Sequence, residues 1–139
     1  MIEGKKAAFT FEEFKVPQFS YNEANNVSSN IKIGFIPKGE YSASTGIFHL
    51  ELNFITHESE QEDNIIFELR SIGKFKFEAP IDLQEIPPYF YKNAIAIMFP
   101  YLRAFISTLT LQANTKLLRL GLMNLSNLER PLMENTVEV

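Results

Sequence analysis

The 139-residue sequence contains no cysteine and no tryptophan, and it has only two histidines. Without cysteine the chain forms no disulfide, no thiolate nucleophile, no cysteine-ligated zinc site and no iron–sulfur cluster. His49 and His57 lie on one predicted strand and are separated by roughly 26 Å, so they do not bind one metal together. The sequence also lacks a glycine-rich phosphate loop and a nucleophile–base pair at a diagnostic spacing. It therefore predicts no catalytic residues, no metal site and no cofactor.

Positive charge is also scarce. Thirteen Lys and Arg residues against seventeen Asp and Glu residues leave a formal net charge of −4. Domains that bind nucleic acid through phosphate contacts are usually strongly basic, so the composition argues against a nucleic-acid partner. The N-terminus has no apolar segment of signal-peptide length, which favours a cytoplasmic protein. The length predicts a single domain over residues 1–139.

Phenylalanine is abundant, and most of it lies in segments of period two. Ten of the thirteen phenylalanines come before residue 78. The clearest segment places Phe48, Leu50, Leu52 and Phe54 on one face of an alternating pattern, which is typical of a half-buried strand. Similar alternation predicts four strands, near residues 8–21, 30–37, 46–57 and 64–78. Their short linkers favour antiparallel neighbours.

Some positions interrupt this pattern. The apolar face changes parity at Glu12-Glu13, which predicts a β-bulge there. Gly73 interrupts the last strand and indicates either a bulge or a close approach of the backbone to another element. The acidic run at 58–63 is most simply a solvated hairpin loop. The tail at 134–139 shows no identifiable anchor.

From Pro87-Pro88 onward the pattern is helical, and between Asn93 and Gln112 the only charged residue is Arg103. A helix apolar on nearly every side is buried all round, so we expect it to pack on the sheet and on another subunit. Pro100 is expected to kink or split this helix. A membrane span is the rival interpretation, but the apolar segment is short for a bilayer and contains a proline and a central arginine.

We expect Arg103 to find a structural partner, either a carboxylate or backbone carbonyls. A short second helix is predicted to begin near Asn124 or Ser126 and to end or break near Pro131. Its leucines at i, i+3 and i+7 form an apolar stripe. The chain thus has more apolar surface than a four-stranded sheet with one covering helix needs. Two explanations remain open, an oligomer interface and a groove for extended apolar polypeptide.

A family resemblance appears in the long helix. The segment reads Phe99-Pro100-Tyr101-Leu102-Arg103-Ala104-Phe105-Ile106, and it resembles the Phe-Pro-Tyr/Ala-x-Arg motif of SecB, the bacterial protein-export chaperone. Downstream, Leu118-x-Leu120 followed by Met123-Asn124-Leu125-x-x-Leu128 is similar to that family's leucine-rich link and second helix. The family's prolines in this link are missing, as is the tryptophan of its crossover loop. The chain therefore resembles a divergent member.

The resemblance implies an α+β fold, a four-stranded antiparallel sheet followed by a long kinked helix and a short second helix. It also implies a homotetramer built as a dimer of dimers, in which the motif residues Phe99, Pro100, Tyr101, Arg103 and Phe105 serve the structural helix. The implied function is ATP-independent holding of unfolded or precursor polypeptides for protein export. The client groove would comprise eight apolar residues: Ile31, Ile33, Phe35, Tyr21, Val27, Leu125, Leu128 and Leu132. For each of them core packing is the alternative.

The family passes its clients to the SecA motor through an acidic patch on its sheet. Ile66 and Glu68 occupy two positions of that patch, whereas Gln18 and Asn22 stand where carboxylates are expected. Some SecB-like proteins instead serve an antitoxin as dedicated chaperones, and this role is the second hypothesis. A small α+β enzyme with its site between sheet and helix is the third, and the shortage of polar residues on the helix argues against it.

Overall fold

A computed structural model describes residues 8–25, 30–115, 120 and 123–139, and it contains one sheet and two helices. The strands are β1 (Phe9–Tyr21), β2 (Ile31–Ser42), β3 (Ile47–Glu58), β4 (Gln61–Phe77) and β5 (Thr136–Glu138). The α-helices are α1 (Pro88–Gln112) and α2 (Glu129–Glu134). Three 3-10 turns lie at Glu23–Asn25, Leu83–Glu85 and Ser126–Leu128.

The sheet has the strand order β1-β4-β3-β2-β5. The four long strands pair antiparallel with their neighbours, whereas β5 pairs parallel with β2. The α+β class and the order of elements are confirmed, but the prediction of a four-stranded, wholly antiparallel sheet is wrong. The fifth strand lies in the tail that showed no anchor, and Val139 donates a backbone hydrogen bond of 2.8 Å to Tyr41.

Two strand boundaries also differ from the prediction. β2 continues past Pro37 to Ser42, because proline is tolerated in an edge strand, and β5 joins β2 only from Gly39 onward. The acidic run at 58–63 is mostly strand, since the turn between β3 and β4 spans only Ser59 and Glu60. Charged residues suit the tip of this long hairpin because both of its faces meet water there.

The predicted irregularities have distinct structural causes. The β1–β4 register shifts between Phe11 and Glu13, which confirms the bulge, and it shifts again between Lys15 and Gln18. Around Gly73 the pairing with both neighbours is regular. A Cβ atom there would lie 2.6 Å from Sδ of Met98 on α1. Gly73 therefore allows a close approach between strand and helix.

Helix α1 continues through Pro100 without being split. One stripe of it packs on the sheet and includes Phe90, Ala94, Met98, Leu102 and Ile106, all fully buried. The opposite side is open in this chain, and Leu111 is 63% exposed there. The helix has the length and hydropathy of a membrane span, a property that it shares with core helices of soluble proteins.

The phenylalanines of the sheet converge on the first turn of α1. The ring of Phe90 has five aromatic neighbours with centroid distances of 4.8–5.7 Å: Phe9, Phe48, Phe75, Phe77 and Tyr91. Most of these pairs are edge-to-face, the arrangement that aromatic quadrupoles favour. Part of the phenylalanine excess is thus accounted for by the core of a single chain.

The second helix begins later than predicted, because a 3-10 turn occupies Ser126–Leu128 and α2 itself starts at Glu129. The side chain of Asn124 accepts a 3.0 Å hydrogen bond from the backbone of Ser126, and the Ser126–Leu128 turn leads directly into α2. Pro131 lies in the first turn of α2, where a backbone N–H has no partner within the helix. The chain therefore continues helically through this proline.

Candidate functional site

A mainly apolar cavity of about 360 Å³ lies between α1 and the segment Met123–Ser126. The α1 wall follows i, i+3, i+4 spacing, which places its side chains on one face of the helix. We call this cavity the α1 pocket. Its lining is Lys92, Ile95, Ala96, Phe99, Pro100, Arg103, Met123, Asn124, Leu125 and Ser126.

Phe99 connects the α1 pocket to strand β2. Its side chain is 7% exposed, and its ring lies edge-on to Phe35 at a centroid distance of 6.1 Å. Phe35 in turn packs on Phe54 at 5.5 Å. Ile31, Ile33 and Phe35 are half-buried along the inner face of β2. The predicted β2 residues and Leu125 therefore adjoin the same apolar region on two sides of Phe99.

The other predicted groove residues are placed differently. Leu128 is nearly buried and Leu132 is fully buried, so both belong to the core of the monomer. Tyr21 lies on β1, and the pairing register places it directly across the sheet from Ile33 on β2. Two strands separate them, a distance of roughly 14 Å. Val27 lies outside the described residues.

The two predicted motor-docking residues do not form one exposed patch in the monomer. The Glu68 side chain is exposed and borders a shallow cavity of about 230 Å³ on the outer sheet face. Ile66 is buried, and its carbonyl accepts a 2.8 Å hydrogen bond from the backbone of Asn22. The following turn, Glu23–Asn25, packs on this part of β4.

The remaining motif residues of α1 lie mainly toward strand β1. The Tyr101 ring contacts Phe11 and Phe14 at centroid distances of 5.1 and 5.5 Å, yet this tyrosine stays 49% exposed. Phe105 packs on Phe19 at 5.4 Å. These aromatic contacts run along the side of the sheet where, among the described residues, β1 has no further strand neighbour.

Arg103 is not paired as the sequence analysis expects. None of the four ion pairs between described residues involves it. Its guanidinium carbon lies 5.8 Å from the centre of the Phe99 ring, which is cation–π geometry. A half-buried arginine stacked on an aromatic ring keeps its donors directed away from the ring face. Within the described part of the chain, those donors have no carboxylate.

Several polar side chains on the outer face of the sheet form local pairs. Glu51 accepts a hydrogen bond from Arg70 and lies 3.8 Å from the Lys38 ammonium. Nδ1 of His57 is 2.8 Å from the Glu58 carbonyl oxygen. No cluster of three metal-ligating side chains occurs among the described residues. Burial raises the pKa of Tyr91, but its ring lies among the core aromatics.

Sequence reasoning missed two parts of this surface. Lys92 and Met123 complete the α1 pocket, and a signal for Lys92 was available because it precedes Arg103 by eleven residues, three helical turns. On the outer face, Ile36 is 52% exposed and lines the same shallow cavity as Glu68. No local pattern brings these two residues together, because they lie on β2 and β4, which are separated by β3.

Comparison with known proteins identifies the fold. The structure is similar to a SecB-like chaperone of Mycobacterium tuberculosis solved in complex with a ChAD peptide from the HigA1 antitoxin. That match has a TM-score of 0.65 at 14% sequence identity and covers 83% of this chain and 90% of the other. A protein of unknown function from Streptococcus agalactiae matches with a TM-score of 0.50 at 9% identity, covering 85% and 100%. No family model and no curated protein matches the sequence. The chain therefore has a SecB-like fold, as its helix motif suggested.

Proposed function

We propose that this protein is an ATP-independent chaperone that holds non-native polypeptides in the cytoplasm by burying their apolar side chains. The observation that carries the proposal is the α1 pocket, an open apolar cavity between α1 and Met123–Ser126, adjoining the half-buried β2 residues. The SecB-like fold supports it, since a similar structure is that of a chaperone holding a peptide. No nucleotide takes part in this binding.

The physical basis is shape-tolerant apolar burial. A cavity of about 360 Å³ accommodates one large side chain with room for adjustment. Phe99 and Leu125 provide contact area with few rotamers to restrict. A single such contact binds weakly, so useful affinity requires an extended client that occupies several sites of one assembly. The exposed side of α1 supports a homotetramer, a dimer of dimers, as that assembly.

A dedicated partner is the second candidate for the client. It is favoured by one observation, namely that the similar mycobacterial protein holds a peptide from an antitoxin. Delivery of precursors to the SecA motor has less support, because Ile66 is buried in the monomer and Gln18 and Asn22 replace the carboxylates of the docking patch. We therefore place an antitoxin or another single partner ahead of general export.

The proposal is tested by aggregation of a chemically unfolded client, followed by light scattering at increasing ratios of this protein. We expect suppression at stoichiometric ratios and without ATP. Leu125→Ser removes a half-buried apolar wall of the pocket and should weaken client binding about tenfold. Met133→Ser is the matched control, because this methionine is 39% exposed on α2 and does not line the pocket.

Two results would contradict the proposal. If the client aggregates unchanged at a severalfold excess of wild-type protein, the protein has no holding activity. Equal loss of binding in Leu125→Ser and Met133→Ser would show that the pocket is not the binding site. Multi-angle light scattering of each variant separates a lost groove from a lost assembly, since a tetramer has four times the monomer mass of 16.0 kDa.

A further inference from the structure

The α1 pocket carries positive charge that no described residue neutralises. Lys92 and Arg103 are its two ionisable lining residues, and neither belongs to any of the ion pairs between described residues. The whole chain has a net charge of −4. An apolar cavity lined by two cations that have no ion pair within the described part of the chain is therefore distinct from the average surface of this protein.

The two cations have different surroundings. The Lys92 side chain is exposed, so water screens its charge. Arg103 is half-buried and stacks on Phe99, at the edge of the same cavity. An arginine held in this way presents a planar set of N–H donors, which matches the two oxygens of a carboxylate. The apolar wall formed by Phe99 and Leu125 lies beside those donors.

We propose that the α1 pocket selects client segments in which a large apolar residue stands next to an aspartate or glutamate. The apolar side chain fills the cavity, and the neighbouring carboxylate pairs with Arg103. This selectivity rests on the proposed function, and it states which segments of a client occupy the pocket first. A segment with a basic neighbour meets like charge from Arg103 and Lys92 and is disfavoured.

Charge and geometry both favour a peptide over a second copy of this chain as the occupant. Arg103 and Tyr101 lie about 160° apart around the helix axis, given 100° per residue. Tyr101, an exposed aromatic residue of α1 that suits self-association, thus lies on a different side of the helix from the pocket. A carboxylate complements the charge of the pocket, because both of its charged lining residues are cations.

The test uses three fluorescein-labelled peptides that share a phenylalanine and two leucines in a glycine–serine background. Two aspartates, two asparagines or two lysines flank the phenylalanine. Fluorescence anisotropy with the wild-type protein should show the aspartate peptide binding about fivefold more tightly than the asparagine peptide, and the lysine peptide binding most weakly. The aspartate advantage should shrink as salt is raised.

Matched variants locate the effect. Arg103→Gln should abolish the difference between the aspartate and asparagine peptides, whereas Arg103→Lys keeps part of it through charge alone. Arg130→Gln is the control, because Arg130 lies on α2 outside the pocket and pairs with Glu134 at 3.1 Å. It should leave the aspartate advantage intact. The comparison of peptides on the wild-type protein needs no variant, so misassembly of Arg103→Gln leaves the test valid.

Several outcomes overturn the inference. Equal affinity of the wild-type protein for the aspartate and asparagine peptides does so, as does an aspartate advantage that persists in Arg103→Gln. An Arg103→Gln variant whose mass in solution falls while its peptide preference is unchanged would assign this arginine to a subunit contact instead. If the wild-type protein suppresses client aggregation but ignores peptide charge, the selectivity is wrong and the chaperone proposal stands. If it binds neither clients nor peptides, both fail.

Discussion

Replacing Gly73 by alanine tests a close contact between the sheet and α1. The added Cβ atom would lie 2.6 Å from Sδ and 2.9 Å from Cγ of Met98, and 3.2 Å from the Phe75 ring. Met98 and Phe75 are both fully buried, so neither side chain has solvent to move into. Restoring an ordinary separation of about 3.6 Å requires a shift of about 1 Å in a close-packed core. Overpacking of this kind costs about 1–3 kcal/mol.

The assay is urea denaturation followed by circular dichroism, at one fixed protein concentration because assembly makes apparent stability concentration-dependent. Gly34→Ala is the matched control. Its Cβ atom would meet only Cγ2 of Ile55, at 3.3 Å, and Ile55 is a half-buried residue with room to adjust. We expect this control to be neutral or to stabilise by up to about 1 kcal/mol, because alanine restricts the unfolded chain.

A double-mutant cycle identifies the contact. Met98→Ala alone should cost about 2–5 kcal/mol by opening a cavity. In the double variant the new methyl group of Gly73→Ala occupies part of that cavity. The loss of stability in the double variant should therefore be smaller than the sum of the two single losses by about 1 kcal/mol or more. Strict additivity, or a Gly73→Ala variant as stable as wild type, would show that the helix does not press on this position.

Two further predictions concern core tyrosines. The Tyr41 hydroxyl donates to the Ile81 carbonyl at 2.6 Å and accepts from the Ile81 N–H at 3.2 Å. Tyr41→Phe removes both hydrogen bonds and should therefore destabilise the protein by about 1–3 kcal/mol. Tyr101→Phe, at a half-exposed position, is the control, and equal shifts of the urea midpoint in the two variants would refute the reasoning. Burial raises the pKa of Tyr91. Above about pH 10 the unfolded chain therefore releases this proton before the folded chain does, and stability falls as pH rises. Tyr91→Phe keeps the ring and should lose less stability than wild type between about pH 9 and pH 11. Identical pH profiles would contradict this assignment.

The strands that the sequence predicts correctly are those whose pattern is local. The alternation in β3 and the parity change in β1 indicate which face of each strand is buried, because the buried face of a strand must carry its apolar side chains. Pro37 suggested an end to β2 because a proline removes a ladder donor, but an edge position makes that loss tolerable. β5 is not predictable in this way. A strand of three residues is too short to show an alternating pattern, and its partner at Gly39 is distant in sequence.

The functional surface shows the same division. The helix motif from Phe99 to Phe105 predicts the SecB-like fold, and the similarity to the mycobacterial chaperone confirms that fold. The sequence predicts the leucine stripe of the second helix, but it does not show which of these leucines are buried. Packing against α1 and β2 decides this, and it buries Leu132 while leaving Leu125 at the pocket. The state of Arg103 depended on which carboxylates tertiary structure brings near it, and a linear pattern does not encode that.

The strand order also fixes a sequence of events during synthesis. The hairpins that join β2, β3 and β4 close over short turns as soon as those strands have been made. β5 follows only after both helices, so the β2 backbone at Gly39–Tyr41 lacks its outer partner for most of translation. An unpaired strand backbone is a template for other extended chains. This chain is thus itself aggregation-prone until β5 has paired with β2.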